Sequence, residues 1–266
     1  MSIVTLTTDF GTLDGYVAAM KGVILSLAPQ TQLVDMSHDI PAQDIEAGAW
    51  CIHTFWSLFP AGTIHVGVVD PGVGSDRQAI LAEVDGHYFV GPDNGLFSYP
   101  LAAAEKLSVR RIPDDIHKPE GCSRTFHGRD VFAYVAGMLA AGEADWRQLS
   151  TDTDQYTLLA RSEAEYTERE VRGRITHIDR YGNLISNIAV HRLPPDAQWI
   201  LRVGGADLSV NDLDRAYADV AEGMPLALTG STGHVEIAVH GGSACRVFQT
   251  DRGAEIVMRR LLPGQR

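Results

Sequence analysis

The first half of the chain alternates short β-branched runs with segments of helical periodicity, and this alternation limits the folds that it can adopt. The runs Ile3–Thr7 and Thr63–Val69 predict strands, and the second is mostly apolar, as expected for a parallel strand covered on both faces. The segments Tyr16–Leu27 and Ala42–Phe59 carry apolar residues at helical spacing. Alternating strands and helices predict a layered α/β fold with a mainly parallel sheet.

The pattern changes after Tyr166, where short alternating runs of β type are separated by glycine-containing turns. Such runs predict a smaller domain made mostly of antiparallel strands. We therefore divide the chain into an N-terminal α/β domain, residues 1–166, and a C-terminal β domain, residues 167–266. A length of 266 residues is sufficient for two such domains.

An excess of acidic side chains narrows the classes of partner. The chain has 22 basic and 34 acidic residues and a formal net charge of −12. Proteins that bind nucleic acid need a basic surface, and so do proteins that lie on anionic membranes. The charge balance therefore excludes both classes of partner and leaves small molecules as the expected ligands.

Three features predict a soluble, cytoplasmic protein. Cys51, Cys122 and Cys245 lie far apart, which is typical of reduced thiols rather than of a disulfide framework. The N-terminal residues lack the basic and apolar regions of a signal peptide. Apolar runs also stay well short of the roughly 20 residues needed to cross a bilayer.

The first polar cluster of the chain follows the first predicted strand. It contains Thr8-Asp9-Phe10-Gly11 and, slightly later, Asp14. Ligands of open α/β sheets bind beyond the carboxyl ends of the strands, and Asp9 is suited to accept hydrogen bonds from ribose hydroxyls there. Spacing alone favours another role, in which Asp9 or Asp14 caps the helix that follows.

Two further clusters contain candidate catalytic side chains. Asp70 and Arg77 flank a glycine-rich loop without the lysine of a phosphate-binding loop, and they form either part of a site or a salt bridge that closes the loop. His127 lies at the start of a predicted helix, where it can orient or deprotonate a nucleophile. We expect this role for His127 only if the fold brings it beside Asp70 and Arg77.

Metal binding and serine catalysis are poorly supported. The ten histidines form no HExxH motif, and residues 230–233 match the serine hydrolase elbow only superficially. In the second domain, Asn183 is interpreted either as a ligand-binding residue or as a turn residue with positive φ. Ser231 and Glu236 are likewise either ligand-binding residues or ordinary turn and strand residues.

Together these clusters resemble one family, the S-adenosyl-L-methionine (SAM) hydroxide adenosyltransferases, which are adenosine-forming SAM hydrolases. The motifs extend over nearly the whole chain in the family's order. They are Thr8-Asp9-Phe10-Gly11 with Asp14, Val69-Asp70-Pro71-Gly72-Val73-Gly74 with Arg77, Gly91-Pro92-Asp93-Asn94-Gly95, Thr125-Phe126-His127-Gly128-Arg129-Asp130, Asp179 with Gly182-Asn183, and Gly233-His234-Val235-Glu236-Ile237-Ala238. Each motif is weak alone, but the ordered set is highly specific.

The resemblance implies a fold, an assembly and a reaction. The implied fold is an N-terminal α/β domain with a C-terminal β-barrel-like domain, and the implied assembly is a homotrimer that binds SAM at subunit interfaces. Water or hydroxide attacks the ribose C5′ atom of SAM and releases adenosine and L-methionine. SAM is the substrate, and we expect no metal and no cofactor. The family's catalytic set corresponds to Asp70, Arg77 and His127.

The resemblance also implies substrate-binding residues. Asp9 would hold the ribose hydroxyls, and Trp50 and Phe126 are candidates for the walls around adenine and ribose. Trp50 is equally well interpreted as a core residue of its helix. Asp179, Asn183 and Ser231 would hold the methionine amino and carboxylate groups from a neighbouring subunit. The remaining substrate-binding candidates are Asp14 and Glu236.

Two alternative functions remain open. A related SAM-dependent halogenase is disfavoured, because Asp70 and His127 would crowd a halide with polar and partly anionic groups. In a non-catalytic module that binds SAM or adenosine, the three residues would only support a loop. Within the hydrolase hypothesis, the sequence does not distinguish preformed hydroxide from water that is deprotonated by a general base.

Overall fold

The computed structural model describes residues 2–117, 121–160, 163–195 and 197–261. These residues form two compact units, the first ending at Leu159 and the second beginning at Ala160. The sequence places the division at residue 166, which ends a short strand of the second unit. Within the described residues, no helix combines the length and the apolar character needed to span a membrane.

The first unit contains seven strands and four α-helices in its described part. In chain order they are β1 (Ile3–Thr8), α1 (Tyr16–Leu27), β2 (Gln32–Ser37), α2 (Ile45–Phe55), β3 (Ile64–Val68), β4 (Ala79–Val84), β5 (His87–Pro92), α3 (Ser98–Ala103), β6 (Leu107–Ile112), α4 (Ala133–Ala141) and β7 (Thr151–Asp152). A 3₁₀ turn, Trp56–Leu58, extends α2, and a π-helical turn, Gly128–Phe132, precedes α4.

The strands of the first unit form one mixed sheet in the order β2-β1-β3-β5-β4-β6-β7. Strands β2, β1, β3 and β5 are parallel, whereas β4, β6 and β7 add antiparallel pairings. The predicted α/β fold is confirmed, and the sheet is mixed because a tight hairpin joins β4 to β5. The turn of that hairpin is Asp85-Gly86, a dipeptide that is typical of two-residue hairpin loops, and its φ values of 50° and 87° are those that such a loop requires.

The parallel strands bring three polar loops to one edge of the sheet. The chain leaves β1 for β2 on one side and later returns to β3 on the other, so β1 lies at a topological switch point. The residues that follow the carboxyl ends of β1, β3 and β5 include Asp9, Asp70 and Asn94. We call this side of the sheet the carboxyl edge.

Helices cover both faces of this sheet, because successive strand residues point to opposite sides. Val66 and Val90 pack in a core with α1 and α4, whereas Ile80 and Phe89 pack in a second core with α2 and α3. Helices α1 and α4 approach closely at Gly137, where a Cβ atom would lie 2.7 Å from a side-chain carbon of Leu27. Both cores anchor the strands whose ends form the carboxyl edge.

The second unit is built mainly from antiparallel strands. Its elements are β8 (Glu165–Tyr166), β9 (Glu170–Ile178), β10 (Leu184–Ala189), β11 (Trp199–Val203), β12 (Ala206–Val210), β13 (Pro225–Thr229), β14 (His234–Val239), α5 (Ala244–Phe248) and β15 (Glu255–Arg260). Short 3₁₀ turns occur at Val190–Arg192 and Tyr217–Asp219.

These strands form a nearly closed sheet in the order β12-β11-β15-β9-β10-β14-β13, with β8 paired to β9. The two outer strands, β12 and β13, approach each other, so the sheet resembles a barrel. Its interior is filled by apolar side chains that include Trp199, Leu201 and Ile237. The predicted β-barrel-like C-terminal domain is therefore confirmed.

Two buried histidines lie next to each other on β3 and β5. The Nε2 atom of His65 is 3.2 Å from Nδ1 of His87, and Nδ1 of His65 is 2.8 Å from the Thr5 hydroxyl. Burial, followed by the nearby His87, lowers the pKa of His65 from 6.5 to about 3, and burial also lowers the pKa of His87. Both imidazoles bind protons more readily in the unfolded chain, so the folded state loses stability as the pH falls below 6.5.

This arrangement predicts a histidine contribution to acid sensitivity. Between about pH 7 and about pH 4, His65 alone should lower the free energy of unfolding by about 3 kcal/mol. His65→Asn, which keeps a polar group facing Thr5 but does not titrate, should be less stable at neutral pH and should lose much less stability on acidification. Urea denaturation at both pH values measures this, with the exposed His191→Asn as control. Equal acid losses in His65→Asn and the unmodified protein would contradict the prediction.

Candidate active site

A glycine-rich loop connects β3 to β4 at the carboxyl edge and carries Asp70 at its start and Arg77 near its end. Gly74 has a φ of 76°, and a Cβ atom there would lie 2.5 Å from the carbonyl oxygen of Arg124. Only glycine therefore allows the loop to approach this part of the backbone so closely. The approach brings the loop next to the segment that carries His127.

Asp70 and Arg77 form a forked ion pair. The Nε atom of Arg77 lies 2.9 Å from Oδ1 and 3.0 Å from Oδ2 of Asp70, and Nη2 lies 2.5 Å from Oδ2. The side chain of Arg77 is only 11% exposed and that of Asp70 only 5% exposed. A planar guanidinium that engages both carboxylate oxygens fixes the direction of each side chain more firmly than a single contact would.

His127 completes a cluster with this pair, since its Nδ1 atom lies 2.9 Å from Nη2 of Arg77. A guanidinium can only donate, so Nδ1 accepts this bond and the imidazole proton resides on Nε2. Burial lowers the pKa of His127, and the charge of Arg77 lowers it further. The cluster therefore contains a neutral imidazole whose Nε2–H group can act as a donor. The fold thus brings His127 beside Arg77 and Asp70, which is the condition under which we expect it to act on a nucleophile.

The segment around His127 is fixed by Asp130, to which sequence reasoning assigned no role. The fully buried Asp130 carboxylate accepts bonds from the backbone N–H of Ser123, at 2.7 Å, and from Nε of Arg129, at 2.6 Å. The chain then enters a π-helical turn, a feature that is frequent at functional sites. Arg77 also lies 5.4 Å from the ring centroid of Phe132 in this turn. The only sequence signal for Asp130 was its position just after His127.

Phe126 belongs to an aromatic cluster beside the loop that follows β1. Its ring centroid lies 5.9 Å from that of Phe10 and 5.3 Å from that of Tyr16, both edge-on. The guanidinium of Arg129 lies 5.0 Å from the Phe126 ring. Phe126 thus connects the segment of His127 with the loop that carries Asp9.

Asp9 does not cap α1, and neither does Asp14, so the capping role favoured by spacing is wrong. The helix begins at Tyr16, and its N-cap residue is Gly15, which has no side chain to accept a bond. The Asp9 carboxylate instead accepts a hydrogen bond from the backbone N–H of Gln43 at 2.8 Å. Asp9 therefore lies at the carboxyl edge, and Asp14 is exposed in the loop between β1 and α1.

Trp50 lies within α2 and is 6% exposed. Its ring centroid is 5.8 Å from that of Tyr99 and 5.6 Å from that of His53. This placement agrees with the interpretation of Trp50 as a packed helix residue. Contact with adenine remains a prediction for this side chain.

In the second unit, Asp179 and Asn183 form a tight structure in the turn between β9 and β10. Asn183 Nδ2 donates to Oδ2 of Asp179 at 2.9 Å, and the backbone N–H groups of Tyr181 and Asn183 donate to Oδ1, both at 2.9 Å. The positive φ of this turn belongs to Gly182, at 83°. The interpretation of Asn183 as a positive-φ residue is therefore wrong. Its side chain instead binds the Asp179 carboxylate.

A second carboxylate, Glu236, lies near this turn. It is 6% exposed on β14 and accepts a bond of 2.6 Å from the hydroxyl of Tyr217, a residue that sequence reasoning missed. Burial raises the pKa of Glu236, the Tyr217 bond opposes this, and the charge of Asp179 raises it further. Ser231 is exposed in the turn between β13 and β14. The unit thus carries two acidic groups, Asp179 and Glu236, that are close enough to interact electrostatically.

The described part of the chain contains no group of three or more histidine, cysteine, aspartate or glutamate side chains placed to hold a metal ion. The polar side chains described above at the carboxyl edge are Asp70, Arg77, His127 and Asp9. This combination presents hydrogen-bond donors toward an anionic or neutral oxygen and a carboxylate toward hydroxyl groups.

Comparison with known proteins gives consistent results for both units. Residues 4–150 match the model of the SAM hydroxide adenosyltransferase N-terminal domain, and residues 173–257 match that of the C-terminal domain. A protein of Thermotoga maritima described as an uncharacterized conserved protein has a crystal structure that superposes with a TM-score of 0.89. It is 28% identical, and the match covers 98% of this chain and 100% of that one.

Curated relatives include two proteins named (R)-S-adenosyl-L-methionine hydrolase. That of Methanocaldococcus jannaschii is 43% identical over 71% of this chain and 67% of its own length. That of Thermus thermophilus is 35% identical over 96% of this chain and 99% of its own length. Proteins named fluorinase match over similar lengths at 22–25% identity. The chain belongs to the SAM hydroxide adenosyltransferase family.

Proposed function

We propose that this protein hydrolyses SAM at the ribose C5′ atom and releases adenosine and L-methionine. The observation that carries the proposal is the assembled cluster of Asp70, Arg77 and His127 at the carboxyl edge, the place where an α/β sheet binds its ligands. Family membership and the names of the relatives support the same activity.

The reaction needs a positioned nucleophile more than it needs an acid. Hydroxide donates an electron pair to C5′ and forms a C–O bond, while the C5′–S bond breaks and its electron pair returns to sulfur. The positively charged sulfonium leaves as the neutral thioether of methionine, so no proton has to be supplied to it. We propose that the reaction therefore proceeds without a metal or cofactor, and that the site holds one oxygen in line with the C5′–S bond.

The cluster favours a nucleophile that is bound as hydroxide. Both oxygens of Asp70 accept bonds from Arg77, and Nδ1 of His127 accepts another, so we infer that these atoms hold the guanidinium rather than act as a general base. The Nε2–H group of His127 and the charge of Arg77 instead stabilise an oxygen anion. In this mechanism bound water loses its proton to solvent, and Asp70 holds the guanidinium in place.

The other candidate residues are assigned to substrate binding. Asp9 accepts hydrogen bonds from the ribose hydroxyls, and Phe126 offers an aromatic face to the nucleoside. The acidic groups of the second unit attract the methionine ammonium and the sulfonium. The substrate-binding set proposed in addition to Asp9 and Phe126 is Asp14, Trp50, Asp179, Asn183, Ser231 and Glu236.

We also propose that the protein acts as a homotrimer in the cytoplasm and binds neither nucleic acid nor membranes. The family resemblance supports the trimer, in which a neighbouring subunit supplies the methionine site. The acidic net charge of −12 supports the absence of nucleic-acid partners, and the three free cysteines support a reducing compartment. Sedimentation equilibrium with and without SAM tests the assembly.

A halogenase is the second candidate, because proteins named fluorinase are also relatives of this chain. They are more distant than the SAM hydrolases. Incubating the purified protein with SAM in isotopically labelled water, with and without chloride or fluoride, separates the candidates. Adenosine labelled at its 5′-oxygen is expected for a hydrolase, and a 5′-halogenated nucleoside would indicate a halogenase. Tight binding of SAM without any product would overturn both and leave a binding module.

Removal of single cluster residues should lower turnover while leaving the fold intact. His127→Ala and Asp70→Asn should each lower kcat by roughly 10²–10³-fold, because the nucleophile loses its donor or the guanidinium loses its anchor. Release of adenosine from SAM measures this. Asp76→Ala, which removes an exposed carboxylate from the same loop, is the matched control. Near-normal turnover in both variants would contradict the mechanism.

The proton position on His127 has its own test. Because burial and Arg77 lower its pKa, His127 should titrate below 6.5 in the folded protein. In Arg77→Met the opposing positive charge is lost and Asp70 remains, so the midpoint should move upward. Histidine NMR titrations of both proteins measure the two midpoints. A His127 midpoint that stays unchanged in Arg77→Met would disagree with the assigned contact.

Asp9→Asn should weaken SAM binding. An amide keeps an oxygen for the Gln43 N–H group but no longer offers a charged acceptor to the ribose. We expect KM to rise about 10-fold to 100-fold, as for the loss of a charge-assisted hydrogen bond of about 1.5–3 kcal/mol, with a smaller effect on kcat. Steady-state kinetics measure both constants, and exposed Asp39→Asn serves as control. An unchanged KM would remove Asp9 from the binding site.

A further inference from the structure

A half-buried asparagine connects the ends of β3 and β5. Nδ2 of Asn94 donates a hydrogen bond of 2.9 Å to the carbonyl oxygen of Val69, and Oδ1 of Asn94 accepts one of 3.2 Å from the N–H of Leu96. Val69 is completely buried and directly precedes Asp70. The side chain of Asn94 therefore holds the peptide group from which Asp70 emerges.

The same loop also contacts the peptide beside Arg77. The backbone N–H of Asp93 donates to the carbonyl oxygen of Gln78 at 2.9 Å, and Nη1 of Arg77 lies 3.4 Å from that oxygen. The loop after β5 thus holds the β3–β4 loop at both ends, next to the two residues that form the ion pair.

We propose that Asn94 is a positioning residue for hydrolysis, which acts through the Val69 carbonyl to set the direction of the Asp70 side chain. The proposal rests on the proposed function, since it assumes that the Asp70–Arg77–His127 cluster acts on SAM. Rotation of the Val69–Asp70 peptide would turn the carboxylate out of the plane of the guanidinium. Arg77 would then no longer hold its place relative to His127 and to the nucleophile.

The opposite side of the loop provides a matched control. Oδ1 of Asp93 accepts a bond of 2.7 Å from the N–H of Thr157, and Oγ of Ser98 accepts one of 2.8 Å from the N–H of Leu159. These bonds anchor the returning segment around residues 157–159 rather than the peptide of Asp70. Ser98→Ala therefore disturbs the loop without removing its contact with Val69.

Asn94→Asp is the most direct variant, because it keeps the size of the side chain and an acceptor for Leu96. It replaces the donor with an oxygen that faces the Val69 carbonyl and repels it. We expect kcat for adenosine release to fall roughly 10-fold to 100-fold while KM for SAM changes less than about 2-fold. Ser98→Ala should retain kcat within about 2-fold. Circular dichroism confirms that the variants fold, and Asn94→Ala replaces Asn94→Asp if that variant does not.

Two results would overturn the proposal. One is an unchanged kcat in Asn94→Asp, and the other is an equal loss of kcat in Ser98→Ala, which would indicate general loosening of the loop. Failure of the unmodified protein to release adenosine counts against the proposed function instead. In that case a crystal structure of Asn94→Asp decides, and an Asp70 carboxylate that still accepts bonds from Arg77 through both oxygens refutes the positioning role.

Discussion

The contact on which the rest of the site depends is the fork between Arg77 and Asp70. A guanidinium carries five donors in one plane. In Arg77 the donors along one edge of this plane bind both oxygens of the nearly buried Asp70 carboxylate. The remaining donors then have defined directions, and one of them meets Nδ1 of His127. This contact determines which ring nitrogen carries the proton. The chemistry of the site therefore follows from the geometry of one ion pair.

Such a pair is costly to bury unless the surrounding backbone fixes it, and the fold supplies that support from several directions. Gly74 allows the β3–β4 loop to lie against the segment that carries His127. The Asp130 carboxylate fixes that segment by accepting a bond from the Ser123 N–H group. Asn94 reaches across from the neighbouring strand end to the peptide that precedes Asp70. Each support lies on an element anchored by the two apolar cores. The geometry of the ion pair thus depends on the packing of the sheet and its helices.

Much of the fold follows from local patterns. The periodicity predicts α1 over Tyr16–Leu27, and the turn residues predict the β4–β5 hairpin, because both signals arise from neighbouring residues. The elements that periodicity misses are short or irregular, such as α3 and β12. The π-helical turn at Gly128–Phe132 is also missed, because the tertiary structure rather than local spacing favours it. Capping by Asp9 fails because Gly15 occupies the N-cap position of α1, while the Asp9 carboxylate accepts a bond from the distant Gln43 N–H group.

The sequence by itself determined the types of the main elements, the division into an α/β part and a β part, and the polar motifs whose order identifies the family. Motif chemistry is local, so Asp70, Arg77 and His127 are recognisable as candidates from sequence. Only the tertiary structure decided that they meet, because Arg77 and His127 are separated by 50 positions and are joined by the approach of two loops. It also decided the proton position on His127 and the contacts of Asp130, Tyr217 and Asn94. These depend on distances across the fold, which no spacing along the chain encodes.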